Sequence, residues 1–157
     1  MTNFVSLRKL VDELLTRADE TRAYLNLETG EVFSFSEDEV SAMESGLWSN
    51  DENEKKEFLD HVAQVKNPDK YLELPGKYEI HEYRMMETFS SEFPDPRISQ
   101  ILLEKIRGAG AFRRFEATIH HHGIENTWYA FRDAAYKEFA IDWLEGHAIP
   151  YQDDMKS

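Results

Sequence analysis

With 157 residues, 41% of them hydrophobic and 13% aromatic, the chain has enough material for a packed core and lies outside the compositions that stay disordered. It contains no cysteine, which excludes disulfides, thiolate nucleophiles, Fe–S clusters and cysteine-bearing zinc fingers. Thirty-one acids against eighteen bases leave a formal charge of −13, a field that repels nucleic acid and anionic lipid and favours proteins, neutral small molecules or cations as partners.

Phe4, Leu7, Val11, Leu14 and Ala18 recur at helical spacing, Leu10 and Leu15 widen the stripe, and Ser6 is placed to cap the helix. Such a stripe docks a helix on a core, and the same spacing suits a short homodimer seam. Arg8 and Lys9 interrupt the apolar pattern, so no cleavable leader is read here. No apolar run reaches membrane length, and the expected location is the cytoplasm.

The period then changes. Residues 23–27 and 31–35, joined through Glu28-Thr29-Gly30, predict a β-hairpin. A lone hairpin is marginal in water, so a third strand is expected, and residues 71–74 before Pro75-Gly76 supply it. Two helices fall between. Ser36-Glu37-Asp38-Glu39 reads as a capping box with Gly46 as the stop, and Phe58, Val62 and Val65 mark the second helix, which ends before Pro68. Nine acids between Glu37 and Asp60 face only Lys55 and Lys56. A charge run of this kind reads as a solvated face, and its spacing lacks the ligand order of a calcium loop.

Ile80, Tyr83 and Met86 predict a further helix reaching about Ser91, and Pro94-Asp95-Pro96 an extended connection. Three helical segments follow. Ile98, Ile101, Leu102 and Ile106 line the first; Phe112, Phe115 and Ile119 line the second, which ends at His122-Gly123. Asn126 or Thr127 caps the third, with Trp128, Phe131, Ala135, Phe139 and Trp143 turned inward. The expected architecture is α+β and predominantly helical, with about three antiparallel strands packed with about six helices. Residues 1–150 read as a single globular domain and 151–157 as a polar, frayed tail.

Separated stretches in this order, ETGEV from Glu28, LPGKYEIHEY from Leu74, IRGAGAFRRF from Ile106 and WYAFRDAAYKEFAIDWLE from Trp128, resemble the uncharacterised bacterial protein family 0158. The resemblance implies a bacterial, cytosolic, single-domain protein and carries no established activity, cofactor or catalytic residue.

The stretch from Gly108 to Arg132 holds the clearest local excess of positive charge. Gly108-Ala109-Gly110 leads into a helix bearing Arg113 and Arg114, with Arg107 before it and Arg132 on the next helix. A glycine turn at a helix start, ringed by arginine forks, suits a phosphate or carboxylate. It lacks the lysine and hydroxyl of a P-loop and follows no strand. His120-His121-His122 point about 100° apart on a helix and cannot share one ion, so no metal is assigned, and no cofactor is implied. No nucleophile elbow or H-E-x-x-H is present, and the net charge argues against nucleic acid. The favoured expectation is a non-enzymatic interaction or regulatory module that contacts another protein through the Arg/aromatic region 107–132. The alternative is an enzyme or ligand-binding domain that holds a small anionic molecule at the same turn. Exposed aromatics around Trp128 and Tyr129 would favour the first, and four arginines converging on one cavity the second.

Overall fold

A computed structural model describes residues 4–18, 20–47 and 51–155, apart from the side chains of residues 77 and 78. The described chain divides into two compact units. One comprises the chain up to Gly76 together with Ala140 onward, and the other is Lys77–Phe139.

The first unit holds the sheets. β1 (Val5–Ser6) runs directly into α1 (Leu7–Thr16), whose N-cap is Ser6, its Oγ accepting from the Lys9 N–H at 3.2 Å. Leu7, Leu10, Val11 and Leu14 are buried as the stripe predicted, but Phe4 and Ala18 are exposed because the chain is no longer helical at either position. β2 (Thr21–Asn26) and β3 (Val32–Ser36) form the expected hairpin, and β4 (Tyr71–Glu73) adds antiparallel to β2, giving the order β3-β2-β4. α2 (Glu37–Ser45) starts at the Ser36 cap and stops at Gly46; α3 (Glu52–Gln64) starts at Asp51, whose carboxylate accepts from the N–H groups of Asn53 and Glu54.

Phe58, Val62 and Val65 of the α3 region cover the sheet through Phe33, Phe35 and Tyr71. Within that layer the His61 ring stacks on Phe33 with centroids 3.7 Å apart. Asn26 Nδ2 can only donate, so the Tyr71 hydroxyl accepts from it at 3.2 Å, and the same hydroxyl lies within hydrogen-bonding distance of His61 Nε2 at 3.3 Å.

A second, two-stranded parallel sheet was not anticipated: β5 (Tyr151–Gln152), in the polar segment after Pro150, pairs with β1 in the register Val5–Tyr151 and Ser6–Gln152. Two residues per strand leave no alternation to read in a sequence. Just beyond, Asp154 reinforces the start of α1. Its carboxylate accepts from the Ser6 hydroxyl at 2.5 Å and from the Arg8 N–H at 2.8 Å. These bonds hold the Asp154 carboxyl below its usual range, the Ser6 hydroxyl contributing most.

The second unit is helical: α4 (Lys77–Ile80), α5 (Glu82–Glu92), α6 (Pro96–Lys105), α7 (Ala111–His121) and the first part of α8 (Glu125–Gly146). The single helix expected from Ile80 to about Ser91 is broken at His81, which adopts the left-handed region at φ 59° and ψ 54°. Asp95 caps α6, with Pro96 in its first turn. α8 begins at Glu125 rather than after Asn126 or Thr127. Its buried residues are Trp128, Tyr136, Ala140 and Leu144, while Phe131, Ala135, Phe139 and Trp143 are only half-buried. Apolar side chains occur all round this helix, so periodicity alone does not select a face. Met86, Phe89, Leu102, Ile106, Phe115, Ile119 and Trp128 make the core, with Phe115 and Trp128 edge to face at 4.8 Å.

Because Asp154 is depressed in the folded protein, its contribution is present above the ordinary carboxyl pKa of about 3.9 and fades as pH falls through its lowered value. Asp154→Asn is expected to cost less than about 1 kcal/mol at neutral pH, the bonds being solvent-exposed. Measured by denaturant unfolding, the stabilities of the two proteins should begin to converge as the pH falls below about 4; a difference independent of pH would contradict this role.

Candidate functional site

The candidate surface is built around the turn between α6 and α7. α6 closes when Ile106 donates its N–H to the Leu102 carbonyl at 3.2 Å, and the chain then reverses through residues 107–110. The reversal requires left-handed backbone twice, φ 74° at Gly108 and 78° at Gly110. An L side chain in that region costs roughly 1–2 kcal/mol. At Gly110 a Cβ would also stand 3.1 Å from Nη1 of Arg114.

A helix end followed by a tight turn leaves carbonyl groups without backbone partners. Arg114 supplies them. Its Nε donates to the Lys105 carbonyl at 2.9 Å, Nη1 to Ala109 at 2.5 Å and Nη2 to Arg107. Three carbonyls spread across five residues meet one planar fork, a geometry that a lysine ammonium on a flexible stem cannot reproduce. Arg114 therefore works inside the turn.

Phe112, expected in the core, is 51% exposed. The buried face of α7 is Ala111, Phe115, Thr118 and Ile119, and Phe112 lies one step of about 100° round from Ala111. Its ring meets that of Tyr83, itself 38% exposed, edge to face at 6.5 Å. The Tyr83 hydroxyl donates to the Ile106 carbonyl at 2.7 Å, so this aromatic pair rests against the same turn. In the sequence Tyr83 marks only a helix face.

The chain belongs to the uncharacterised protein family UPF0158. The family model matches residues 2–155. No curated protein and no solved structure matches the chain.

The remaining candidates fall in different places. Arg107 and Arg113 are exposed, and among the described residues neither guanidinium has a hydrogen bond or ion pair. Arg132 is engaged on its own helix. Its Nη2 lies 3.2 Å from Asp133 Oδ1, and its guanidinium carbon stands 5.0 Å from the Tyr129 ring centroid. Trp128 is buried in the core and Tyr129 is half-buried, so the exposed aromatics beside this turn are Phe112 and Tyr83 instead. Of the three consecutive histidines, His120 Nδ1 sits 2.9 Å from Glu125 Oε1. The Glu125 carboxyl is held below its usual range, first by its own backbone N–H and then by His120. The His121 and His122 rings meet edge to face. Among the described residues no three His, Asp or Glu side chains gather as a metal site, and no helix is long and apolar enough to cross a membrane.

Charge is divided unequally between the two units. Lys77–Phe139 contains nine Lys and Arg against ten Asp and Glu, a formal −1, and the rest of the chain carries nine against twenty-one, −12. The unit bearing the turn is close to neutral, so an acidic partner approaching its arginines meets little local repulsion.

Arg114→Lys should lower the unfolding free energy by about 1–2 kcal/mol, since a lysine retains the charge but satisfies at most part of the carbonyl set. Gly110→Ala should cost a similar amount, about 1–2 kcal/mol, through its backbone alone. Equilibrium denaturation checks both, and a neutral Arg114→Lys would show that the guanidinium does not hold the turn.

Proposed function

We infer that the chain is a non-enzymatic cytosolic interaction module whose contact surface is the Tyr83–Phe112 pair with Arg107 and Arg113. The observation that carries this reading is a half-exposed phenylalanine, supported by a tyrosine, beside two arginines with no partner among the described residues. Aromatic and arginine side chains are the residue types that concentrate binding energy at protein interfaces, because they bury large areas and lose few rotamers for each contact made. The partner that matches is an acidic peptide segment carrying an apolar or aromatic anchor: the anchor covers Phe112, and carboxylates take the two guanidinium forks. The locked turn favours binding, since a preformed surface loses little entropy on docking.

The competing reading, a small phosphorylated or carboxylated ligand at the Gly108–Gly110 turn, retains Arg107 and Arg113 of its four arginines. Arg114 is committed to carbonyls and Arg132 to Asp133.

Selection from a random displayed peptide library tests the proposal. The wild type should enrich acidic sequences with an apolar anchor, and Phe112→Ala or Arg113→Ala should each weaken the selected peptides roughly tenfold while leaving unfolding unchanged. Peptides indifferent to both substitutions would sink the proposed surface. A rise in melting temperature with inorganic phosphate that disappears in Arg113→Ala would instead favour the anion reading.

A further inference from the structure

The acidic unit contains a hollow unconnected with the α6–α7 turn. β1, one side of α1 from Lys9 to Thr16 and the β2–β3 connection border an open hollow of about 580 Å³, a volume within the range of small-molecule sites. Backbone contacts fix its walls. Gly30 approaches the Phe4–Val5 backbone so closely that a Cβ there would lie 3.3 Å from the Phe4 carbonyl oxygen. The turn is further held by Gly30 N–H donating to the Asn26 carbonyl at 2.8 Å, and by Asn26 Oδ1 accepting from Glu28 and Thr29. The opposite wall is pinned where Ser6 caps α1.

The lining selects the ligand class. Asp12, Glu13 and Glu31 face the hollow against a single base, Lys9, and among the described residues none of the three carboxylates has a hydrogen bond or ion-pair partner. Leu10 and Val32 add apolar wall, and Phe4, 62% exposed, also lines the hollow. The carboxylates do not gather closely enough to hold one metal ion. Separated negative charges interspersed with apolar surface match an extended cation in which charges alternate with methylene segments. The −12 of the surrounding unit draws such a ligand in, and an exposed aromatic ring offers its face to an ammonium group. We propose that this hollow binds a linear aliphatic polyamine.

Calorimetric titration of the full chain with spermidine at physiological ionic strength tests the proposal, with magnesium chloride as the point-ion comparison. One saturable site per chain is expected for spermidine, without a matching site for magnesium. Glu13→Gln/Glu31→Gln should weaken binding roughly tenfold. Glu44→Gln/Glu57→Gln, which removes the same charge from residues that do not line the hollow, should change it less than about twofold. Phe4→Ala, at an exposed position that leaves folding intact, should weaken it about two- to fivefold and gives an independent reading if the first double variant fails to fold. Absence of saturation, equal loss in both double variants, or equal binding of magnesium would each overturn the proposal, because each is the behaviour of diffuse attraction to an acidic surface.

Discussion

Where a helix stops and the chain reverses within four residues, backbone carbonyls are left facing one another with no amide to take them. In this protein a single guanidinium resolves that conflict, reaching back from the first turn of α7 to Lys105, Arg107 and Ala109. The two left-handed glycines make the reversal sterically possible, and Arg114 makes it electrostatically tolerable. The other features of the candidate surface follow from this arrangement. α7 begins at Ala111, so its core face is set by Ala111, Phe115, Thr118 and Ile119, and Phe112 emerges toward solvent. Tyr83 then finds both a ring to lean on and a carbonyl, that of Ile106, to bind.

The same geometry separates two roles that the sequence merges. Arg113 and Arg114 are adjacent and chemically identical, and both suit an anion. One is directed into the backbone and the other is exposed. An exposed basic and aromatic patch on a nearly neutral unit has different partners from a hollow in a unit of charge −12. The net charge of −13 is therefore a guide to the hollow and a poor guide to the patch. Averaged over the chain it argues against any acidic partner, whereas the unit that presents Arg107 and Arg113 carries almost none of it.

Much of the fold was legible because it rests on local rules. Alternation over residues 23–35 with Gly30 between the strands gave the hairpin, Pro75-Gly76 bounded β4, and Ser6, Ser36 and Gly46 marked helix ends by cap chemistry that acts within a few residues. Features that depend on distant partners were not legible. The pairing of Val5 with Tyr151 joins two short strands that carry no period, and Asp154 became a capping group only because that pairing brings it to Ser6. At the candidate site the glycine turn was readable from Gly108-Ala109-Gly110. The use of Arg114 was not, because a guanidinium donates to backbone carbonyls as well as to carboxylates, and carbonyls leave no mark in a sequence. Phe112 was misplaced for a simpler reason: Ala111, too small to stand out as a core residue, starts the buried face one position earlier.

The central claim is that one side chain holds the turn on which the surface is displayed, and native-state amide exchange tests it most directly. The Ile106 N–H, bonded to Leu102, and the Arg114 N–H, bonded to Gly110, report on the two ends of the turn. In Arg114→Lys both should exchange roughly tenfold faster than in the wild type, while amides within α1 are unchanged. Equal protection of Ile106 and Arg114 in the two proteins would show that the turn holds without the guanidinium, and would contradict the account.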